Sequence, residues 1–219
     1  MYSYYLIVIL SLVLGMAVSG MVNGRMKKYR RIGVSTGLTG REAALKMLYD
    51  NGVNNVSVVQ GREGMDHFDP RTNTIALSPS NFNSRSLTAT ATAYHEAGHA
   101  LQYATNYRPL FIRSSMAGTV NFCSNAWIFV FLIGVSAQLS GLTMLACLIY
   151  AFVVLFQVVT LPVEFNASSR ALSYAKSLGM SSNELSCSKK LLTACALTYV
   201  VAALTAIIQL IWIYMQADR

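Results

Sequence analysis

The sequence predicts a mainly α-helical membrane protein with about four transmembrane helices and a small cytoplasmic α+β unit. Two observations support this prediction. Of the 219 residues, 54% are hydrophobic and only 12% are charged, and the mean hydropathy of +0.44 exceeds that of ordinary soluble domains. The apolar residues are also gathered into long runs around one polar region, as in a membrane protein that carries a water-exposed unit.

The first run, residues 4–22, carries no charge and is long enough to cross a bilayer as a helix. A cleaved signal peptide would have basic residues before its apolar part, whereas here five basic residues follow it, between Arg25 and Arg31. We therefore interpret residues 4–22 as a transmembrane anchor with its N-terminus outside. The same charge asymmetry predicts that residues 23–115 are cytoplasmic.

The polar region has the pattern of a small α+β unit. Thr39 and Glu42 have capping-box spacing, which predicts a short amphipathic helix ending at Asn51-Gly52. Two stretches rich in β-branched residues, 53–59 and 74–77, predict two strands, which we expect to pair as a hairpin. The free edge of such a hairpin would offer backbone groups to an extended peptide.

Residues 117–162 form a second long apolar stretch, which is interrupted at residues 138–141. We predict two transmembrane helices joined there by a tight hairpin. Residues 163–190 then form a second cytoplasmic segment, and residues 191–215 a final transmembrane helix. With this topology, 16 of the 17 lysines and arginines fall on one side of the membrane, as the positive-inside rule requires.

The net charge of +8 does not predict nucleic-acid binding, because the basic residues lie beside the apolar runs. In that position they favour attraction to the anionic lipid of a bilayer, which we expect to be the main partner. The four cysteines have no CxxC spacing. They are typical of packing residues rather than of a disulfide framework or a zinc cluster.

The most informative motif lies on a helix predicted from Ser86 to Thr105. Here His95, Glu96 and His99 form the pattern HExxH, in which two histidines one turn apart can bind one metal ion from the same helix face. Glu96 would lie beside the ion and take a proton from a zinc-activated water. The motif therefore indicates a hydrolytic zinc site.

A hydrolytic zinc site requires a third protein ligand and leaves a fourth position open. Glu164 lies just past the third predicted span, on the same side as the motif, and we favour it as that ligand. Alternatively, it is a surface acid at a helix start, stabilised by the helix dipole. His67, the only other histidine, can instead bind the metal, polarise a substrate carbonyl or only hydrogen-bond its own turn.

The spacing excludes several classes of metallopeptidase. Gln102 and Thr105 stand where a metzincin has glycine and a third histidine. The motif helix is not an apolar span accompanied by an LDG-like segment, as in intramembrane proteases of the site-2 type. No G-x-x-x-x-G-K-[ST] loop accompanies it, as one would in an AAA-type metalloprotease.

Three stretches together resemble the YugP-type family of membrane zinc metallopeptidases: DHFDP at 66–70, YHEAGHALQ at 94–102 and LPVEFNAS at 161–168, the last followed by Arg170-Ala171-Leu172. The resemblance extends over nearly the whole chain. It implies a zinc peptidase of the bacterial plasma membrane, with His95, His99 and Glu164 as ligands and Glu96 as catalytic base. We expect one zinc ion per chain.

The expected reaction is endopeptidase cleavage of a peptide or a membrane protein at the cytoplasmic membrane face. A developing oxyanion needs a stabilising group, for which His67, Tyr94 and Arg170 are candidates; we expect His67 and Arg170 to be catalytic. The alternative is a non-catalytic membrane scaffold whose structural zinc takes His67 or Asp66 as a fourth ligand. Glu96 favours the enzyme, because a structural site does not require it.

Overall fold

The computed structural model describes residues 2–217. Its elements in chain order are α1 (Tyr2–Tyr29), α2 (Gly40–Asp50), β1 (Ser57–Gln60), β2 (His67–Asp69), β3 (Thr74–Leu77), α3 (Pro79–Phe82), α4 (Leu87–Ala104), α5 (Arg108–Ser136), α6 (Ser140–Ser177) and α7 (Ser182–Ala217). The chain divides into two compact units. We call Met1–Val18, Pro109–Pro162 and Leu197–Arg219 the apolar unit, and Ser19–Arg108 and Val163–Ala196 the motif unit.

Four helices of the described chain, α1, α5, α6 and α7, are long and apolar enough to cross a membrane. In the apolar unit many large side chains on these helices lie at the surface: Phe122 is 71% exposed, Phe129 66% and Leu148 63%. So much apolar surface is unfavourable in water and suited to lipid. The predicted fold, a mainly α membrane protein with a small α+β unit, is therefore confirmed.

Aromatic residues form the centre of the apolar unit. Trp127 packs on Tyr150 with ring centroids 4.7 Å apart, and Phe131 packs on Trp212 at 5.5 Å. The Tyr150 hydroxyl donates to Gln209 Oε1 over 3.1 Å, so this buried polar group has a partner within the apolar core. These contacts join α5, α6 and α7.

Helix α2 of the motif unit begins and ends where the sequence predicts. The Thr39 hydroxyl accepts a hydrogen bond from the Glu42 backbone N–H over 3.2 Å, and Glu42 Oε2 accepts from the Thr39 N–H over 2.8 Å. Both bonds of the capping box are therefore present. The apolar face of α2, including Met47 and Leu48, is buried in a core that also contains α4 and the sheet.

The predicted hairpin between the first and last strands is wrong. β1 pairs with β3 in parallel, and the strand that the sequence analysis missed, β2, pairs antiparallel with β3, so the order is β1-β3-β2. Residues 61–73 are long enough for a parallel crossover. The actual hairpin joins β2 to β3, with Asn73 at φ +49° in its turn. β2 was missed because His67-Phe68-Asp69 contains no β-branched residue.

Helix α6 does not end at Pro162 but continues to Ser177. Proline removes one backbone N–H, yet the next residues are good helix formers, including Ala167, Ala171 and Ala175, and the loss of one bond is tolerated. Glu164 therefore lies inside a helix and is only 3% exposed. Its interpretation as a surface acid at a helix start is wrong.

Candidate metal centre

Helix α4 is the central element of the motif unit. It begins at Ser86, whose hydroxyl accepts from the Ala89 N–H over 3.3 Å, and 14 of its 18 residues are buried. Its neighbours in the unit are α2, α3, β2 and β3. Alanine, glycine and threonine make up most of α4, and such small side chains allow other helices to approach its backbone closely.

At Gly98, inside the HExxH motif, α4 closely approaches the residues of α6 that belong to the motif unit. A Cβ atom at position 98 would lie 2.7 Å from the carbonyl oxygen of Ala167 and 3.2 Å from its Cα. The two helices run antiparallel through this contact, which pairs His95 with Ser168, Gly98 with Ala167, His99 with Glu164, and Gln102 with Val163.

This packing brings three possible metal-binding side chains together. The Nε2 atoms of His95 and His99 are 3.2 Å apart. Glu164 Oε2 lies 3.3 Å from the first of these nitrogens and 3.7 Å from the second. Among the residues that the structure describes, these three form the one group of histidine, cysteine or acidic side chains able to hold a metal ion.

The spacing of the three atoms suits zinc. Zinc binds nitrogen and oxygen at about 2.0–2.1 Å in a tetrahedral arrangement, which separates neighbouring ligand atoms by about 3.3 Å. The observed separations of 3.2, 3.3 and 3.7 Å are close to that value. Two imidazoles and one carboxylate are also a donor set typical of catalytic zinc, with a fourth position left for substrate or water.

Burial and two carboxylates act in opposite directions on the charge of His99. His99 is 8% exposed, and its burial opposes a positive charge. The carboxylates of Glu164 and Glu96 outweigh that effect, so that the pKa of His99 is raised above its ordinary value. The site therefore favours positive charge, whether it is carried by a proton or by a metal ion.

The other ring nitrogen of each histidine also has a partner. His95 Nδ1 lies 3.2 Å from the Ser168 hydroxyl, and His99 Nδ1 lies 3.0 Å from Gln102 Oε1. Partners of this kind orient metal-binding imidazoles. Neither Ser168 nor Gln102 is identifiable as such a partner from the sequence, because serine and glutamine are common on any helix. The one available signal is their spacing, each about one turn from a metal-binding residue.

Glu96 lies beside the three side chains but outside the group. It is 7% exposed, and no hydrogen bond to its carboxylate is found within residues 2–217. Its charge acts on His99. A buried carboxylate that is not held by protein donors is able to accept a proton from water.

The remaining candidates have other surroundings. His67 is exposed on β2, and its Nδ1 lies 2.9 Å from the Met65 carbonyl oxygen, to which it donates. Asp66 accepts from the Ser78 N–H over 2.7 Å and from Asn81 Nδ2 over 2.9 Å. Neither residue belongs to the group formed by the two motif histidines and Glu164.

Tyr94 and Arg170 were candidates for stabilising an oxyanion. The Tyr94 ring is buried edge-on against Tyr174, with centroids 5.1 Å apart, and burial raises the pKa of Tyr94 to about 12. Arg170 donates from Nε to Asn166 Oδ1 over 2.9 Å and from Nη2 to Thr105 Oγ1 over 3.3 Å. Arg170 therefore contacts residues near the metal-binding group.

Comparison with known proteins agrees with this geometry. A profile of the family described as "Putative neutral zinc metallopeptidase" matches residues 4–218. The chain belongs to this zinc metallopeptidase family. It is 39% identical over 192 residues to the "Putative membrane protease YugP" of Bacillus subtilis (strain 168), a match that covers 87% of this chain and 85% of that protein. No solved structure gives a significant match.

Membership of the zinc metallopeptidase family confirms the resemblance drawn from the sequence. The profile spans the motif helix α4 and the Glu164 segment of α6 together. The chain is therefore a membrane protein of a zinc peptidase family, and it carries a largely buried group of side chains that could hold a zinc ion.

Proposed function

We propose that this protein is a zinc-dependent endopeptidase that binds one zinc ion through His95, His99 and Glu164 and uses Glu96 as general base. The observation that carries the proposal is the triangle of metal-binding atoms, 3.2 to 3.7 Å on each side. Beside it lies the Glu96 carboxylate, which accepts no hydrogen bond from residues 2–217. A closed structural site would take a fourth protein ligand. None accompanies the three among the described side chains.

Each residue has a defined task in peptide hydrolysis. The two motif histidines and Glu164 would hold the zinc ion, which would supply Lewis acidity for a peptide carbonyl and for the attacking water. Glu96 takes a proton from the attacking water and delivers it to the leaving nitrogen. The task of His95, His99 and Glu164 is to bind the metal ion and fix its position.

His67 remains our proposal for a group that contacts the substrate. Because its Nδ1–H donates to the Met65 carbonyl, a neutral His67 presents the lone pair of Nε2 and accepts hydrogen bonds there. It can donate to an oxyanion only as an imidazolium.

We further propose that the motif unit faces the cytoplasm of a bacterial cell. Fifteen of the 17 lysines and arginines belong to this unit, and the positive-inside rule places such segments in the cytoplasm. Substrates would then be peptides or membrane proteins cut at the cytoplasmic face. Single cysteines at Asn54 and Gln138, in a chain whose native cysteines are replaced, test this by labelling of intact cells: we expect only Gln138→Cys to react.

The main test measures zinc and hydrolysis in the same purified samples, reconstituted in lipid nanodiscs. We expect about one zinc ion per chain in the wild type, and loss of zinc in His95→Ala and Glu164→Gln. Glu96→Gln should keep its zinc and lose hydrolysis of quenched fluorescent peptides by about 10²- to 10⁴-fold.

Asp66→Asn and His67→Ala are the matched controls, because they alter the other two ligand candidates. Both should retain zinc. Zinc that survives in Glu164→Gln but is lost from either control would move the third ligand to residues 66–67. Hydrolysis that persists in Glu96→Gln would remove Glu96 from the reaction. Zinc bound without hydrolysis of any peptide would favour the scaffold alternative.

A further inference from the structure

We infer that Gln102 is a positioning residue that fixes the tautomer of His99, and that Val163, Asn166 and Arg170 hold Gln102 in place. The inference rests on the proposed function, in that it concerns how the proposed metal ligand His99 is prepared for binding. It assigns a role to a fully buried glutamine one turn after the motif, at 0% exposure, and a second role to Arg170.

The hydrogen bonds around Gln102 use every polar group of its side chain. Nε2 donates to the Val163 carbonyl oxygen over 2.7 Å and to Asn166 Oδ1 over 3.0 Å. Oε1 faces His99 Nδ1 at 3.0 Å. A primary amide has two N–H donors, so both are used, and the only group left for His99 is the amide oxygen.

The direction of these bonds is determined from both ends. A backbone carbonyl such as that of Val163 can only accept, which requires the NH₂ group of Gln102 to face it. A guanidinium can only donate, so Arg170 Nε requires an oxygen at Asn166, and that same oxygen also accepts from Gln102. Neither amide can be turned over without placing like groups against each other.

The consequence reaches the metal-binding atom of His99. Since Gln102 presents an oxygen, His99 Nδ1 must carry a proton, and in the neutral ring the lone pair is then on Nε2. That is the nitrogen that lies 3.2 Å from His95 Nε2 and 3.7 Å from Glu164 Oε2. Gln102 therefore selects the tautomer whose lone pair faces the site.

His95 provides an internal comparison. Its Nδ1 faces the hydroxyl of Ser168, and a hydroxyl can donate or accept. The tautomer of His95 is thus not determined by its partner, whereas that of His99 is. The two ligands differ in how strongly the protein prepares them for a cation, although they lie one turn apart on the same helix.

Arg170 acts at the far end of this chain of hydrogen bonds. It donates to Asn166 and to Thr105 Oγ1, and the Thr105 hydroxyl in turn donates to the Leu101 carbonyl over 2.7 Å. These bonds tie α6 to the last turn of α4. On this geometry Arg170 contributes to the site through Asn166 and Gln102 rather than by touching a substrate.

The test combines a metal titration with NMR of the metal-free protein labelled with [¹⁵N]histidine. The chain has only three histidines, so the ring signals are assigned with His67→Gln and His95→Gln. We expect a slowly exchanging Nδ1–H signal from His99 in the wild type. Gln102→Met should abolish that protection and weaken Co²⁺ and Zn²⁺ binding by about 10- to 100-fold, as loss of partners to metal ligands does.

A pair of variants at position 166 tests the direction of the bonds. Asn166→Asp keeps an oxygen toward both Arg170 and Gln102, so metal affinity and the His99 signal should stay within about two-fold of wild type. Asn166→Leu removes the acceptor, and we expect weaker metal binding and faster exchange of the His99 ring proton. Arg170→Met should change both quantities in the same direction but by less than Asn166→Leu. These shifts should be smaller than in Gln102→Met, because Val163 still holds the amide.

Two controls separate positioning from stability. Thr88→Val removes the hydrogen bond from another fully buried side chain of α4, that of Thr88 to the Met26 carbonyl; it should lower stability without changing the His99 signal. Ser168→Ala should alter His95 and leave His99 Nδ1–H protected. A protected His99 ring proton with unchanged metal affinity in Gln102→Met would overturn the inference, as would equal effects of Asn166→Asp and Asn166→Leu.

The NMR readout also separates this inference from the proposed function. If the wild type binds no metal, the proposed function fails. The protection of His99 Nδ1–H in the metal-free protein still shows whether Gln102 accepts from it.

Discussion

The two units of this molecule differ in what they expose and what they bury. Of the 17 basic and nine acidic residues, fifteen and eight belong to the motif unit. The apolar unit exposes large hydrophobic side chains, while the motif unit buries polar ones, including Glu96, His99, Gln102 and Glu164. The surface of the apolar unit therefore suits lipid, and that of the motif unit suits water. Similar substitutions should have different effects in the two units.

The largest difference is expected for a charge at an exposed apolar position. Phe122 in α5 and Tyr49 in α2 are 71% and 74% exposed. Phe122→Lys places an ammonium group in lipid and should cost about 2.5–3.5 kcal/mol of insertion free energy, whereas Tyr49→Lys should change stability by less than about 0.5 kcal/mol. Membrane-inserted yield and thermal unfolding of the purified proteins measure both. Equal behaviour would show that α5 is not exposed to lipid.

A smaller difference is expected for glycine. Gly98→Ala forces a methyl group against the Ala167 backbone, 2.7 Å from its carbonyl oxygen. It should lower the unfolding free energy by about 1–3 kcal/mol and weaken zinc binding. Gly118→Ala in α5 meets nothing within 4 Å and should be neutral or slightly stabilising, because alanine favours helix by about 1 kcal/mol. Thermal unfolding and zinc titration of both variants test this. A harmless Gly98→Ala would mean that the two helices can separate without loss of the site.

Threonine gives the next comparison. Thr39 caps α2 through its bond with Glu42, and Thr39→Ala should lower the unfolding free energy by about 1 kcal/mol. The Thr205 hydroxyl in α7 donates only to carbonyls of its own helix, those of Val201 and Ala202, so Thr205→Ala should change the unfolding free energy by less than about 0.5 kcal/mol. The midpoints of thermal unfolding of the two variants measure this difference. A larger loss in Thr205→Ala than in Thr39→Ala would contradict the capping role of Thr39.

The smallest effect concerns pH. The backbone N–H and hydroxyl of Thr39 lower the pKa of Glu42. A carboxylate with a lowered folded-state pKa contributes stability above its unfolded pKa, and this contribution is lost as the pH falls through the folded value. The small destabilisation in Glu42→Gln should therefore be present at pH 7 and shrink in acid. A difference from wild type that does not depend on pH would rule out the charge as its cause.

Local signals in the sequence identify much of this fold. The capping box at Thr39 and the four apolar runs are local patterns, and the structure has elements there. The pairing of distant strands cannot be read from a local pattern. The hairpin is formed by β2 and β3, and β1 instead pairs with β3 in parallel. Pro162 is likewise no sufficient local signal of a helix end, since a proline removes one hydrogen bond while the residues after it determine whether the helix continues.

The candidate site follows the same division. HExxH is a local pattern, and the structure places both its histidines together. The roles of Gln102 and Asn166 cannot be predicted from a local sequence pattern, because glutamine and asparagine are common on helices. These roles depend on the contact between α4 and α6. For Asp66, the local pattern suggests a role that the contacts do not support. It neighbours His67 in sequence, which makes it a ligand candidate, but its carboxylate accepts hydrogen bonds from Ser78 and Asn81.

The antiparallel contact between α4 and α6 gives two eight-residue stretches that can be searched for in genomes. In His95–Gln102 and Val163–Arg170, the residues that meet across the helices define the paired pattern HExGHxxQ and VExNASxR. Chains that keep both halves are expected to keep the hydrogen bonds that prepare the second histidine. Chains that keep HExxH but have lost the glutamine, asparagine or arginine are expected to bind metal less tightly, so the pattern can sort relatives before any of them is purified.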